Sequence, residues 1–250
     1  MINRDVQGNI VVLQMTYGKV NAMDIEFCEA LFNSFQEEEK SAAKAVVLTG
    51  NGAIFSAGVD LFRVLSEDKH YTLRFLGVFA DLLKKLFTFS KPIIAAINGH
   101  AIAGGCVLAC ACDYRIMAAD SGKIGIPELL VGVPFPSLAM HILQTAIPQQ
   151  HLHKLIYSGT TLAPDDAIRK GLIDETAPAD KLIEEANGIA KKYGTLSASA
   201  FGATKRLLRD ADFIAENKEL LDQETLDIWT SNETRERIRI YLENTLGKKK

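Results

Sequence analysis

Residues 92–112 read PIIAAINGHAIAGGCVLACAC. The run 92–97 is short and apolar, which is the pattern of a strand buried on both faces. Asn98-Gly99 then marks a turn. From Gly104 onward the residues are small, and the spacing predicts a closely packed helix over 104–112 with two glycines at its start. A helix N-terminus leaves N–H groups without intrahelical acceptors and carries the positive end of the dipole, which favours negative charge. Glycine at that point lets a ligand approach the backbone closely. A second turn of the same kind lies upstream at residues 50–61, GNGAIFSAGVDL, after the apolar run 45–49, AVVLT. Taken singly, either turn is equally well explained by packing.

Working outward, residues 2–7 and 9–16 are expected to form strands around Gly8-Asn9. Asp24 is placed to cap a helix whose apolar face is Ile25, Cys28, Leu31, Phe32 and Phe35. A long helix over 70–88 is expected to turn Leu73, Leu76, Phe79, Leu83, Leu86 and Phe87 inward. Residues 113–117 read as a third buried strand, followed by short helices near 137–146, 149–157 and 164–170. Strands alternating with helices point to an α/β fold. After about residue 180 only helices are expected, over 180–193, 197–209, 213–230 and 232–246. No linker or exact repeat divides the chain, so the reading is a body over 1–195 with a helical region over 196–250.

The chain has 250 residues, 48% hydrophobic and 24% charged, with a net charge of −3. That composition is globular. It offers no field strong enough to hold a nucleic-acid backbone. No apolar run reaches the ~18–20 residues of a membrane span. The first ten residues, with Asn3, Arg4, Asp5 and Gln7, lack a signal-peptide pattern, so a cytoplasmic location is expected. Lys248, Lys249 and Lys250 read as a solubilising tail. Three of the four cysteines, Cys106, Cys110 and Cys112, sit in apolar sequence without a second ligand pair, and read as buried core residues rather than a zinc site. His151 and His153 are two apart and do not share a helix face, so no metal is expected. Asp60, in a turn, and Asp113, at a strand start, are read as partners of nearby backbone N–H groups. His100 is read as a packing residue.

The two turns, in this order, resemble the crotonase (enoyl-CoA hydratase/isomerase) superfamily. The matching segments are Phe55-Ser56-Ala57-Gly58-Val59-Asp60-Leu61, then Lys91 to Gly99, then Ala103-Gly104-Gly105-Cys106. Further matches are Cys112-Asp113-Tyr114-Arg115-Ile116, Ile124-Gly125-Ile126-Pro127-Glu128 with Gly132, and Thr204-Lys205-Arg206-Leu207-Leu208. The resemblance implies a spiral of ββα turns and a C-terminal helical region used in oligomerisation, as a homotrimer or hexamer. It implies an acyl-CoA thioester substrate bound by Ala57, Gly58, Val59, Asp60, Leu61 and Gly104. The backbone N–H groups of Val59 and Gly104 would form an oxyanion hole. No cofactor is expected, coenzyme A being part of the substrate.

The family's hydratases use two glutamates. One of these positions is Val107 here; the other is Glu128, in Pro127-Glu128. One base suffices to move a double bond, whereas hydration calls for two positioned carboxylates. The pattern is similar to that of the family's Δ3,Δ2-enoyl-CoA isomerases, with Glu128 as the single acid/base and Val107 and Phe135 lining the pocket. The hydratases' Gly-Gly segment after the Pro-Glu pair is replaced by Val133-Pro134-Phe135-Pro136-Ser137. A lysine common in the first turn is Ala53 here, which leaves Lys205, Arg206 or a neighbouring subunit to hold a CoA phosphate. The alternatives are a hydratase or acyl-CoA hydrolase of the same superfamily, or a non-catalytic acyl-CoA-binding protein.

Overall fold

Three β-sheets are wound together by a chain that visits them in turn. The computed structural model describes residues 1–210 and 222–246. A six-stranded sheet is formed by β1 (Ile2–Gln7), β2 (Ile10–Met15), β4 (Ala45–Thr49), β7 (Ile93–Ile97), β9 (Tyr114–Ala118) and β12 (Glu175–Ala177), adjacent in that order. Only β1 and β2 pair antiparallel; the other neighbours are parallel. A smaller sheet has the order β11 (Thr161–Leu162), β10 (Ile124–Gly125), β8 (His100–Ile102), β5 (Ile54–Ser56). The parallel pair β3 (Ala22–Met23) and β6 (Gly58–Val59) makes the third.

Each turn of the winding lays one strand in the large sheet, one or two short strands in the small sheets, and then a helix or two. After β2 and β3 comes α1 (Ile25–Lys40). After β4, β5 and β6 come α2 (Leu61–Ser66) and α3 (Lys69–Phe87). After β7 and β8 comes α4 (Gly104–Cys110), and after β9 and β10 comes α5 (Glu128–Val131). This is the expected ββα spiral. The second strand of each turn has only two or three residues, too few for a period-two signal to register in sequence.

The inner strands β4 and β7 of the large sheet are buried on both faces, while β1 at its edge is exposed. Along β4, Val46 and Leu48 join the main core while Ala45 and Val47 join a second core. That second core is closed by Leu182, Ala186 and Ala190 of a helix over Leu182–Gly194. Alternation within an all-apolar strand thus feeds two layers. Asp24 caps α1 by accepting the Phe27 N–H at 2.8 Å. Phe27 is fully buried although no expected stripe included it, and Phe32 only packs against the core edge. Leu73 corrects a sequence expectation: it is 39% exposed, because Thr72, Phe75 and Leu76 take the inward face of α3's first turns. All four cysteines are buried thiols.

Numbered onward, α6 is Ser137–Ala146, α7 Gln149–Ser158, α8 Pro164–Arg169, α9 Leu182–Gly194 and α10 Ala198–Leu208. Beyond it lie α11 (Gln223–Trp229) and α12 (Asn232–Leu246). The expected helix over 213–230 is therefore present at 223–229, while residues 211–221 and the lysine tail lie outside the described residues. No helix among the described residues is long and apolar enough to cross a membrane.

The end of α10 is held by ions. Asp113 accepts the Ile93 N–H at 2.8 Å, as a strand-start aspartate should, and also pairs with Lys205 at 2.7 Å and Arg209 at 2.8 Å. Arg209 further donates to the carbonyls of Phe87, Ala111 and Cys112, and its guanidinium lies 4.5 Å from the Phe87 ring centroid. Asp113 therefore does more than its local role in the strand. Removing one member of a buried ion group leaves the others charged in low dielectric. Asp113→Ala should cost about 3 kcal/mol or more in urea unfolding, and Asp113→Asn, which still accepts the Ile93 N–H, should cost less. Equal, sub-kcal losses in both variants would show the group is not energetically coupled.

Candidate active site

Three parallel strands of the small sheet end at one edge. Ser56 of β5 pairs with Ala101 of β8, and Ile102 of β8 with Gly125 of β10. The residues that follow these strand ends are Ala57–Val59, Ala103–Gly104 and Pro127–Glu128. In parallel sheets the carboxyl edge is where loops converge and ligands bind. The Ala103 N–H donates to Gly125 O at 2.8 Å, tying the second turn to the third.

Close approach explains the glycines. A Cβ on Gly58 would lie 2.7 Å from Ile102 O and 3.0 Å from Gly104 N, and Gly58 has φ +85°. A Cβ on Gly105 would sit 2.4 Å from Ser56 O. Ala103, just before α4, has φ 52° and ψ −125°, a conformation L residues rarely adopt. Such strain costs of order 1–3 kcal/mol and persists where the surroundings over-determine it. Ser56, within the matching segment, and Asn21, outside every motif, support the first turn. Ser56 Oγ accepts the Gly58 N–H at 3.1 Å and donates to Asn21 O at 2.8 Å. Asn21 donates its side-chain amide to Phe55 O at 3.0 Å.

A cavity of about 80 Å³ opens between these turns. Ala57, Val59, Leu61, Gly104, Val107, Glu128 and Phe135 all line it, so seven of the expected site residues are brought together. Gly58 and Asp60 do not line it. Gly58 shapes the turn, and Asp60 caps α2 by accepting the Arg63 N–H at 3.0 Å. Trp229 and Tyr241 also line the cavity. They come from helices expected to serve assembly, and neither lies in a recognisable motif.

Glu128 starts α5 and is 8% exposed. Its Oε2 is buried without a hydrogen-bond partner. Burial pushes the Glu128 carboxyl up to about 8, and a hydrogen bond from its own backbone N–H pulls the other way. The wall around it is almost wholly hydrocarbon, with Val107 1% exposed. The arrangement presents one carboxyl, basic for its kind, to an apolar cavity flanked by the N-terminus of a helix. Such a site can take a proton from carbon and return it.

Other candidates lie elsewhere. Lys205 is consumed by Asp113 and is not available to a phosphate, and Arg206 is exposed away from the cavity lining. His100 is half-buried on β8 and does not line the cavity. His153 stacks against Tyr157 with centroids 6.1 Å apart. No group of His, Cys, Asp and Glu suited to a metal occurs among the described residues.

Comparison with known proteins places this geometry. Residues 5–246 match the family model described as enoyl-CoA hydratase/isomerase. The chain is 28% identical to mitochondrial enoyl-CoA delta isomerase 1 of Rattus norvegicus, over all of this chain and 88% of the relative. It is 30% identical to 2,3-dehydroadipyl-CoA hydratase of Escherichia coli K12, over 78% of this chain and 76% of the relative. In fold it superposes on the crystal structure of human mitochondrial delta3-delta2-enoyl-CoA isomerase with a TM-score of 0.94, at 23% identity, covering 100% of this chain and 99% of that one.

The buried carboxyl has a consequence for stability. The ordinary value is 4.5 and the folded value about 8. The native state thus holds this proton more tightly than the unfolded chain does. Its stabilising contribution is complete below pH 4.5 and is lost as pH rises to about 8. Glu128→Gln removes that dependence. The variant's stability relative to wild type should grow by about 1 kcal/mol or more between roughly pH 5 and pH 9. Urea unfolding at the two pH values tests this, and a difference that does not grow with pH would show that the carboxyl is not held in a low dielectric.

Proposed function

We propose that this chain, which belongs to the enoyl-CoA hydratase/isomerase family, is an enoyl-CoA isomerase that shifts a 3,4 double bond of an acyl-CoA thioester to the 2,3 position. The observation that carries the reading is the single buried carboxyl of Glu128 facing a cavity in which Val107 supplies only hydrocarbon. Ionised Glu128 takes a proton from C2. The electron pair moves into a dienolate, and charge collects on the thioester oxygen. The backbone N–H groups of Val59 and Gly104 donate to that oxygen; one such donor is worth about 2.7–4 kcal/mol in known cases. The protonated Glu128 then returns its proton to C4, and the double bond comes to rest conjugated with the carbonyl. Atoms balance with no water consumed.

Each half of the cycle suits the site. A base raised towards neutrality is matched to abstraction from a weakly acidic carbon and to delivery afterwards. Excluding water strengthens the oxyanion contacts and prevents hydration of the product. Assembly of subunits belongs to the same reading; Leu207 and Leu208 on α10 are 82% and 74% exposed in the single chain, which favours a protein partner there.

A second reading, hydration of a 2-enoyl-CoA, is favoured by the hydratase named among the relatives. It requires a second group to orient water, which the hydrocarbon of Val107 does not provide.

Wild-type protein given a 3-enoyl-CoA should yield the 2-enoyl isomer, with kcat/KM rising with pH and levelling above about 8, where Glu128 is ionised. Glu128→Gln should fold and lose about 100-fold or more. Conversion of only a 2-enoyl-CoA to a 3-hydroxy product, or full activity in Glu128→Gln, would refute the isomerase assignment. Val107→Glu, which restores a second carboxyl, should raise any trace of hydration.

A further inference from the structure

Two cavity walls come from helices far along the chain. Trp229 ends α11 and Tyr241 lies within α12. Trp229 is 4% exposed, and its indole N–H donates to Pro134 O at 3.0 Å. Pro134 itself lines the cavity. The ring is thus pinned to the wall it completes, and swinging it away would leave a donor unpaired.

The helix carrying Tyr241 is held on two sides. Arg235 donates to Val64 O at 3.0 Å, to Leu65 O at 2.5 Å and to Glu67 O at 3.2 Å, all at the end of α2. The stem of Arg237 lies over Gly132, where a Cβ would come within 2.5 Å of Arg237 Cδ. So α12 bridges the helix that follows Val59 and the short helix that Glu128 begins. Tyr241 also packs against the main core. These are the attachments of a rigid wall, not of a gate.

The space these walls bound on its closed sides is small, about 80 Å³. An enclosed apolar cavity of about 150 Å³ takes a benzene ring, so the walled part of this pocket holds only a few carbons. A rigid apolar cavity gains affinity with each methylene until the tail meets a wall, and then overpacking opposes more. We propose that Trp229 and Tyr241 are the specificity-determining residues of this site: the chain's own C-terminal helices close the acyl pocket and select short acyl-CoA thioesters. This rests on the acyl-CoA reading above but not on which reaction follows.

Binding tests it without turnover. Calorimetry with saturated acyl-CoAs of roughly four to twelve carbons should show wild-type affinity rising over the shortest tails and then falling. In Trp229→Ala the preference should move to longer tails, changing the ratio of Kd for the longest to the shortest by tenfold or more, the scale on which a pocket discriminates methylenes. Tyr241→Ala should move it the same way. Because Tyr241 is only half-buried, that variant keeps the test open if Trp229→Ala does not fold. Loss of affinity by one common factor at all lengths, or an unchanged ratio in both variants, would overturn the proposal while leaving the acyl-CoA reading intact. Wild-type protein that binds none of the thioesters would instead bring down the acyl-CoA reading.

Discussion

The closeness of three strand ends governs this molecule. The turns after β5 and β8 approach until a single methyl on Gly58 or Gly105 would collide with backbone. This contact brings the N-terminus of α4 beside Val59, and the parallel pairing of β8 with β10 then puts Glu128 at the same edge. Packing and chemistry impose the same demand here. A turn that cannot carry a side chain lets a ligand approach its backbone closely, and strain at Ala103 is tolerated because neighbouring strands hold the turn.

The second constraint is electrostatic. A carboxyl with a buried, partnerless oxygen opposes folding when ionised, and the cavity wall offers it no cation. Buried charge elsewhere in the chain is treated differently: Asp113 meets two cations and a backbone N–H. The contrast separates a carboxylate that anchors structure from one left poised. Perturbation by burial alone, in a cavity, is characteristic of groups that move protons.

The strands of the large sheet were legible because each is a compact apolar run between turn signals, and the longer helices because their stripes span several turns. Asp24 could be read as a cap, and Asp60 as a partner of nearby backbone N–H groups, because both roles are local. The short strands of the smaller sheets were not legible; two or three residues carry no period. Leu73 lies at the edge of its stripe, and a leucine there looks the same in sequence whether a neighbour covers it or not. Both glycine turns stand out in the residues themselves, although packing explains either one singly; Glu128 and Val107 are singled out by their resemblance to a family pattern. Lys205 shows the limit of such reasoning: its charge was visible, but its partner lies 92 positions away.

Trp229 and Tyr241 escaped for a related reason. On a helical wheel they are apolar faces, equally suited to covering the chain's own body or a second subunit. What decides between those uses is where the helices land. Arg235 spends its donors on the carbonyl end of α2, so α12 lands on the two helices that bracket the cavity. A segment that chemistry does not require therefore bounds the space in which the chemistry happens. On the proposed reading Glu128 and the two turns govern which bond is moved, while substitution in the last two helices alters what is admitted without disturbing the proton transfer.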